Sequence, residues 1–426
     1  MFTSPHSGPR MKVAATQVGA ATIIVAVAGY AAQFFAARSL GPANYTVFAV
    51  FWALLYMLVG ALSGAAQEVI RVSRLSKIER DSQPDSKQNA AHPRIGFVAI
   101  TTGVSIGFTI FLTGFVWGPG AFGSDWLLQV FLLSLAVVLV SGSVAVNGML
   151  AGLARWRLYS TLAMLEGVAR LFFFVIAALF LPNVLGFSLA SVLSFVPGLL
   201  VGFLWGPLRR DSLAIRSDSL ARLSSTRILR SVAAAGLSSV LVVGWPAILS
   251  AASVLNPRGS TAVSLGVLIL LLSLTRAPLM VPLTSFQNAL VARFTGLDPT
   301  DRRRWVASGI GIIAVGSCLL AALAALLGPV LLPLIFGNGY QASAAIIAAL
   351  TAAAAGLGII TLTSVAAITS GRHSSYLLGW MVALAVALAV LFLLPVPFEW
   401  ATVLALILGP LVGASVQLTA PRRPDH

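Results

Sequence analysis

Three charged residues lie deep inside apolar runs of this sequence, where their charge could act on a substrate or an ion. Glu166 and Arg170 lie in one run at i, i+4 spacing, which places both on one face of a helix, and Arg276 lies in another run. A charged side chain at bilayer depth is costly and usually faces a bundle interior or a watery cavity, so each is a candidate functional residue. One guanidinium group can donate two parallel hydrogen bonds to the oxygens of a phosphate, so the two arginines favour an anionic, phosphate-bearing ligand.

Two interpretations of the first pair are open. Glu166 and Arg170 could form a neutral pair that locks adjacent helices, or Arg170 could contact a substrate phosphate directly.

Arg276 is the preferred single candidate for binding the phosphate of such a ligand. Its run contains no acid, and the prolines Pro278 and Pro282 that follow each remove a backbone donor and tend to bend a helix. Gln287 and Asn288, further along, are predicted to add polar lining. Two other interpretations remain open, namely that Arg276 pairs with Glu166 across a cavity or that it snorkels towards the cytoplasm.

A polar cluster ends the second apolar run. Gln67, Glu68 and Arg71 are candidates for a gate at the cytoplasmic entrance, and the alternative is that they only mark the membrane interface.

The elements that carry these residues are membrane spans. The 426-residue chain is 58% hydrophobic and 9% charged, whereas soluble domains are about 25% charged, which excludes an ordinary soluble enzyme and a disordered protein. One crossing needs about 20 apolar residues, and twelve such runs predict an all-α polytopic membrane protein. The runs are 13–36, 45–67, 95–117, 127–149, 159–181, 187–205, 231–252, 262–285, 305–327, 341–369, 374–395 and 398–418.

The net charge of +15 indicates how the chain is oriented in the membrane, and we predict no nucleic-acid partner from it. With the N-terminus in the cytoplasm, 23 of the 27 Lys and Arg residues fall in cytoplasmic segments, as the positive-inside rule requires. We therefore predict an inner (plasma) membrane protein with both termini in the cytoplasm and with membrane lipids around it.

A basic linker at 206–230 divides the spans into two sets of six. The predicted parts are a tail (1–12), an N-terminal six-helix bundle (13–205), the linker, a C-terminal six-helix bundle (231–418) and a second tail (419–426). Leu-Gly-Pro at 40–42 and Leu-Asn-Pro at 255–257 lie 215 residues apart, and six spans per half make any repeat a parallel one.

Motifs for enzymatic chemistry are not supported by their context. Gly103, Ser105 and Gly107 match G-x-S-x-G, but they lie inside an apolar run and are better explained by close helix packing, as are Gly60 and Gly64. Cys318 is the only cysteine, and the four histidines have no metal-site spacing. We predict no enzyme activity, metal or cofactor.

Three stretches resemble a known family. These are ARSLGPANY at 37–45, GALSGAAQ at 60–67 and LLPLIFGNGY at 331–340. They resemble segments of polysaccharide and oligosaccharide flippases in the multidrug/oligosaccharidyl-lipid/polysaccharide (MOP) exporter superfamily. Thr46 stands where that family usually has glycine. Twelve spans fit the polysaccharide branch better than the fourteen typical of lipid II flippases.

The resemblance implies two six-helix bundles around a central cavity that opens alternately to each side. Such a protein would move a polyprenyl-diphosphate-linked glycan from the inner to the outer leaflet, as a monomer or beside glycan-synthesis enzymes. Coupling to Na⁺, H⁺ or the membrane potential is open, and Glu166 is the candidate for the ion.

Other functions remain open at this stage. A multidrug/cation antiporter of the same superfamily would favour an acid-rich cavity, whereas the spans contain one deep acid and two arginines. A membrane glycosyltransferase would favour acids in outer segments, where Asp125 and Glu399 are the ones present. A scaffold for cell-envelope glycan synthesis is a further possibility.

Overall fold

A computed structural model describes residues 9–82, 95–204, 225–256, 263–295 and 297–419. Within these ranges the regular secondary structure is helical, which confirms the predicted all-α class. The α-helices are α1 (Pro9–Ser82), α2 (Ile95–Phe122), α3 (Trp126–Gly152), α4 (Trp156–Phe180), α5 (Val184–Leu193), α6 (Val196–Leu204), α7 (Ser225–Val242), α8 (Trp245–Leu255), α9 (Leu265–Thr295), α10 (Pro299–Phe336), α11 (Ala344–Thr369), α12 (His373–Leu393) and α13 (Phe398–Thr419).

Eight helical stretches in the described residues are long and apolar enough to cross a membrane, or nine if α7 and α8, bent by 67° at their junction, form one span. Two of these stretches, Gln17–Arg74 with 58 residues and Ala99–Gly152 with 54, are each more than twice the length of about 20 residues that one crossing requires. Each of the twelve predicted apolar runs falls on a helix or a helix pair. The counts differ because each of the two long stretches holds two runs, the α7–α8 pair holds one, and the apolar part of α9, Leu265–Met280, is shorter than the length counted as a span.

The Ala99–Gly152 stretch is a hairpin of α2 and α3, broken at Gly123, whose φ of 65° suits glycine. A Cβ at Gly103 would lie 2.8 Å from the Cβ of Ser141, and one at Gly118 would lie 2.9 Å from the Trp126 ring. The contacting residue numbers run in opposite directions, so the two helices are antiparallel. Glycine here permits close helix packing, which supports the packing interpretation of Gly103.

The first helix also folds back on itself. It is interrupted at Gly41, which has φ 68° and ψ 169° and precedes Pro42. Arg170 lies beside both Gly29 and Tyr56, yet 27 residues of straight helix would separate these two by about 40 Å. The two legs of α1 therefore run side by side and make two crossings.

The chain forms two compact units. Unit 1 comprises Met1–Ser39 and Val50–Gly244, and unit 2 comprises Leu40–Ala49 and Trp245–His426. Residues 205–224, most of the predicted linker, lie outside the described residues, as do 1–8 and 420–426. The division into bundles at that linker stays a prediction, whereas compactness places α7 in unit 1 and α8 in unit 2.

Two of the family-like motifs meet inside unit 2. Tyr45, 1% exposed, packs edge-on against Tyr340 with ring centroids 6.4 Å apart. A Cβ at Gly339 would lie 3.2 Å from Cδ of Pro42. The short segment 40–49 therefore belongs to the packing of unit 2 although its neighbours in the chain belong to unit 1.

The two units share one turn in detail. The turn between α3 and α4 and the turn between α11 and α12 have equivalent backbone hydrogen bonds at an offset of 217 residues. The shared bonds are Arg155 N to Leu150 O (2.8 Å) with Arg372 N to Ala367 O (2.9 Å), and Tyr159 N to Arg155 O with Tyr376 N to Arg372 O (both 3.1 Å). Ala154 and Gly371 occupy the same left-handed position, with φ of 58° and 74°. This repeat makes α4 and α12 equivalent helices.

Candidate functional site

The polar face of α4 positions the candidate site in unit 1. Tyr159, Glu166 and Arg170 are spaced by seven and four residues, which places them on one helical face. Arg170 lies fourteen residues into α4, a rise of about 21 Å, so it is deep within a span. The expected placement of Glu166 and Arg170 on one face is therefore present in the structure.

Glu166 is bound to the neighbouring helices α3 and α6. It accepts a hydrogen bond from the Ser143 hydroxyl of α3. On α6, a Cβ at Gly198 would lie 2.6 Å from Oε1 of Glu166, so the missing side chain makes room for the carboxylate. Glu166 thus lies where three helices of unit 1 meet.

Arg170 points to different helices, the two legs of α1. It is 6% exposed, and its guanidinium carbon lies 5.4 Å from the centroid of the Tyr56 ring, a cation–π distance. A Cβ at Gly29 would lie 4.0 Å from Nη1 of Arg170. The buried Nε finds no hydrogen-bond partner among the residues that the structure describes.

Glu166 and Arg170 do not form an ion pair within 4.0 Å in the described part of the chain. In the described part of the chain, the ion pairs within 4.0 Å are Arg71 with Glu68 and Arg304 with Asp301, and Glu166 with Arg170 is not among them. The Glu166 carboxylate accepts a hydrogen bond from Ser143, and the Arg170 guanidinium lies over the Tyr56 ring. This arrangement leaves hydrogen-bonding capacity on a buried cation.

Arg276 lies in unit 2, eleven residues into α9, and is half-buried. The helix continues past Pro278 to Thr295, so the structure has no break at the prolines. Gln287 and Asn288 follow on the same helix, but their side chains lie outside the described part of the chain. The binding roles of these residues stay predictions.

The predicted gate residues pair within their own helix. The Nε of Arg71 donates to Oε2 of Glu68 at 2.8 Å, and their side chains are 34% and 13% exposed. Gln67 is exposed. Nearby, Gly64 packs against the backbone of Ser231 on α7, as expected for a small residue at a helix contact.

One buried acid lacked a clear sequence signal. Glu399, assigned to an outer segment by sequence, is 4% exposed in the first turn of α13, and its Oε2 has no hydrogen-bond partner among the described residues. The signal available was an acid at a helix start, where the helix dipole favours negative charge. Among the described residues, no group of three or more His, Cys, Asp or Glu could hold a metal ion.

Comparison with known sequences gives full-length relatives. The uncharacterized protein Rv3630 of Mycobacterium tuberculosis is 35% identical over 415 residues, covering 96% of this chain and 92% of the relative. The uncharacterized protein Rv1510 of the same species is 34% identical over 425 residues, covering 99% and 95%. The chain belongs to their family. No protein-family model matches the chain.

Several solved structures are similar to this chain in fold. An inward-facing multidrug resistance MATE family transporter of the MOP superfamily matches with a TM-score of 0.67 at 13% identity, covering 96% of this chain and all of that one. A MOP superfamily transporter from Pyrococcus furiosus, described by a reverse polarity of its binding pocket that suggests a different function, matches with a TM-score of 0.61 at 14% identity, covering 98% of each chain. The chain therefore has the fold of these transporters, with the several apolar helices of a multi-pass membrane protein, and membership of the polysaccharide branch stays a prediction.

Proposed function

We propose that this chain is a secondary-type transporter that moves a polyprenyl-diphosphate-linked glycan from the inner to the outer leaflet of the plasma membrane, with both termini in the cytoplasm. Its fold neighbours include one transporter solved facing inward and one facing outward, which supports alternating access. The sequence resemblance to polysaccharide flippases and the shortage of deep acids favour an anionic substrate.

The observation that carries the proposal is the state of Arg170. A buried charge without full compensation costs several kcal/mol, so a fold keeps one where another requirement holds it. Here Arg170 is 6% exposed, and its buried Nε lacks a hydrogen-bond partner among the described residues. A phosphate oxygen would accept from that fork and offset the cost of burial.

The other candidate residues keep the roles that the sequence predicts for them. Arg276 is a diphosphate ligand in its own right, with Gln287 and Asn288 as polar lining. Glu166 is the site for a coupling proton or Na⁺, because it is a partly buried carboxylate that accepts a hydrogen bond from the Ser143 hydroxyl. Gln67 and the Glu68–Arg71 pair gate the cytoplasmic entrance.

Glu166 also favours a second candidate function, a multidrug/cation antiporter. A partly buried carboxylate deep in an apolar helix suits a cationic drug or an exchanged ion. The MATE fold is equally compatible with this function. The two candidates differ in which charged residue binds the substrate: Arg170 for the flippase and Glu166 for drug efflux.

The deciding experiment deletes the gene in its host and measures lipid-linked glycans in the inner leaflet together with drug sensitivity. We expect glycans to accumulate, with rescue by wild type but not by Arg170→Gln or Arg276→Ala. Arg304→Gln, which removes an exposed arginine from a surface pair, is the matched control and should rescue fully. A changed drug sensitivity with unchanged levels of lipid-linked glycans would contradict the flippase function and favour the antiporter function.

Coupling is tested separately with Glu166→Gln. This variant keeps the hydrogen bond from Ser143, because the amide oxygen still accepts. We expect glycan binding to persist while uphill transport stops. Full transport by Glu166→Gln would remove the coupling role and leave the substrate role of Arg170 intact.

A further inference from the structure

A compact basic surface lies at one end of unit 1, where the second leg of α1 meets the turn before α4. It consists of Arg74, Trp156 and Arg157, and we name it the Arg74–Arg157 patch. A Cβ at Gly152 would lie 2.6 Å from the Cβ of Ser73, so the two elements touch directly beside it. One apolar cluster underlies the patch and contains Val72, Leu153, Leu158 and Tyr159. These contacts fix the two arginines on the same end of the unit.

The charges of the patch are available. Arg74 and Arg157 are both exposed, and their side chains take part in no ion pair or hydrogen bond with the residues that the structure describes. Glu68, the nearest acid that precedes Arg74 in the sequence, already pairs with Arg71. The following segment 75–94 has four basic and three acidic residues, so its composition does not neutralise the patch.

The repeated turn shows that the fold does not require these residues. In unit 2 the same turn keeps an arginine, Arg372, at the position of Arg155. The positions of Trp156 and Arg157 are occupied there by His373 and Ser374. The exposed tryptophan and the second arginine are therefore features of unit 1 alone, and backbone geometry does not account for them.

The aromatic part of the patch fits the boundary of a bilayer. Trp156 is 40% exposed and packs edge-on against Tyr159, with ring centroids 6.1 Å apart. Both precede the apolar body of α4, and indole and phenol rings concentrate at the headgroup level of membranes. Arginines beside such a pair lie where lipid phosphates are.

Unit 2 carries a second group of exposed arginines that differs in charge balance. Arg304 lies 3.8 Å from Asp301, and Asp298 is exposed close by in sequence. Arg293 is stacked 4.1 Å above the ring of Trp305. This group offers a control of the same residue type at a helix end, with its charge already partly compensated.

We propose that the Arg74–Arg157 patch binds the headgroups of anionic phospholipids. Two uncompensated guanidinium groups match the negative headgroup phosphate, and Trp156 and Tyr159 place them at the depth of that phosphate. The patch anchors this end of unit 1 to an anionic leaflet. It is independent of the transported substrate, because its residues lie at the helix end and not beside Arg170.

Native mass spectrometry of the delipidated, full-length protein in detergent tests this directly. Phosphatidylglycerol and phosphatidylcholine with identical acyl chains serve as probes. The wild type should prefer phosphatidylglycerol, and this preference should fall about fivefold for Arg74→Gln or Arg157→Gln and about 30-fold for the double variant. Arg304→Gln should keep the wild-type preference, and equal unfolding temperatures should show that each variant is folded.

Three results would overturn the proposal. The first is no preference for phosphatidylglycerol in the wild type, and the second is an equal loss in Arg304→Gln. The third is displacement of the lipid by inorganic phosphate at matched concentration, which would indicate a free-phosphate site. A lost lipid preference with normal glycan transport leaves the proposed function standing, whereas wild-type glycan transport by Arg170→Gln would overturn the proposed function and leave the patch standing.

Discussion

Helices α4 and α12 follow the same turn in the two units but carry opposite kinds of residue at equivalent depth. At the offset of 217 residues, Glu166 and Arg170 on α4 correspond to Ala383 and Ala387 on α12. The two alanines are fully buried. A Cβ at Gly409 of α13 would lie 2.6 Å from the oxygen of Ala383 and 2.7 Å from the Cβ of Ala387. In unit 2, small residues therefore pack tightly at the positions where unit 1 has two charged side chains.

The polar groups beside these two helices also differ in how far their hydrogen bonds are satisfied. In unit 2, Thr363 donates to Oε1 of Gln417 at 2.5 Å, and Trp380 donates to the Ser364 hydroxyl at 2.9 Å, on which Gln417 also converges at 3.0 Å. This network is satisfied and joins α11, α12 and α13. In unit 1, Nε of Arg170 has no partner among the described residues. Satisfied polar groups hold a fold together, whereas an unsatisfied buried cation points to a ligand.

The largest expected effect comes from exchanging the residue types at the equivalent positions 170 and 387. Ala387→Arg would force a long charged side chain against Gly409, where there is neither space nor a partner, so we expect loss of folded protein. The reverse change, Arg170→Ala, removes an incompletely paired buried charge and should leave a folded protein without transport. Size-exclusion profiles and unfolding temperatures of the two variants check this. A folded Ala387→Arg protein would contradict the claimed difference.

A second pair of variants probes the glycines that face these positions. Gly409→Ala meets backbone oxygen at 2.6 Å and should destabilise the protein by about 1–3 kcal/mol. Gly198→Ala meets the end of the flexible Glu166 side chain, which can move, so the unfolding temperature should change little. Transport by Gly198→Ala should nevertheless be impaired, because Glu166 is displaced from Ser143. Equal destabilisation by both variants would argue against the comparison.

The network of unit 2 should act on stability alone. Ser364→Ala removes the group that Trp380 and Gln417 both bind, and a lost buried hydrogen bond costs about 1–3 kcal/mol. We expect a lower unfolding temperature and, at a temperature where the variant is folded, normal glycan transport. A change in substrate preference would show that this network belongs to the site.

The smallest effect concerns the ring under Arg170. Tyr56→Leu removes a cation–π contact worth about 0.5–2 kcal/mol, so transport should fall by a few-fold to about 30-fold. Tyr56→Phe keeps the ring and is the matched control, with transport near wild type. Equal activity of the leucine and phenylalanine variants would mean that Tyr56 does not position Arg170.

Much of this architecture could be predicted from local pattern. Hydrophobic run length located the helical segments, and i, i+4 spacing placed Glu166 and Arg170 on one face. Periodicity could not tell which helices would surround that face, because Ser143 and Tyr56 are 23 and 114 residues away from their partners. Sequence also suggested a repeat at 215 residues, whereas the shared turn sets the offset at 217, since a turn is defined by its hydrogen bonds and not by matching letters.

The placement of segment 40–49 was equally hidden. The motif around Pro42 and Tyr45 reads as the connection of two spans, yet its contacts to Gly339 and Tyr340 join it to unit 2. Such a contact between residues nearly 300 positions apart depends on tertiary packing. No local propensity encodes it.

The central claim is that the buried cation of unit 1 binds the anionic head of a lipid-linked glycan. The most direct measurement is the inner-leaflet accumulation of that glycan in a deletion strain complemented with wild type, Arg170→Lys or Arg170→Gln at equal expression. Loss of a charge-assisted hydrogen bond should lower transport about 10- to 150-fold in Arg170→Gln, with Arg170→Lys intermediate because it keeps the charge without the fork. Wild-type transport by Arg170→Gln would contradict the account.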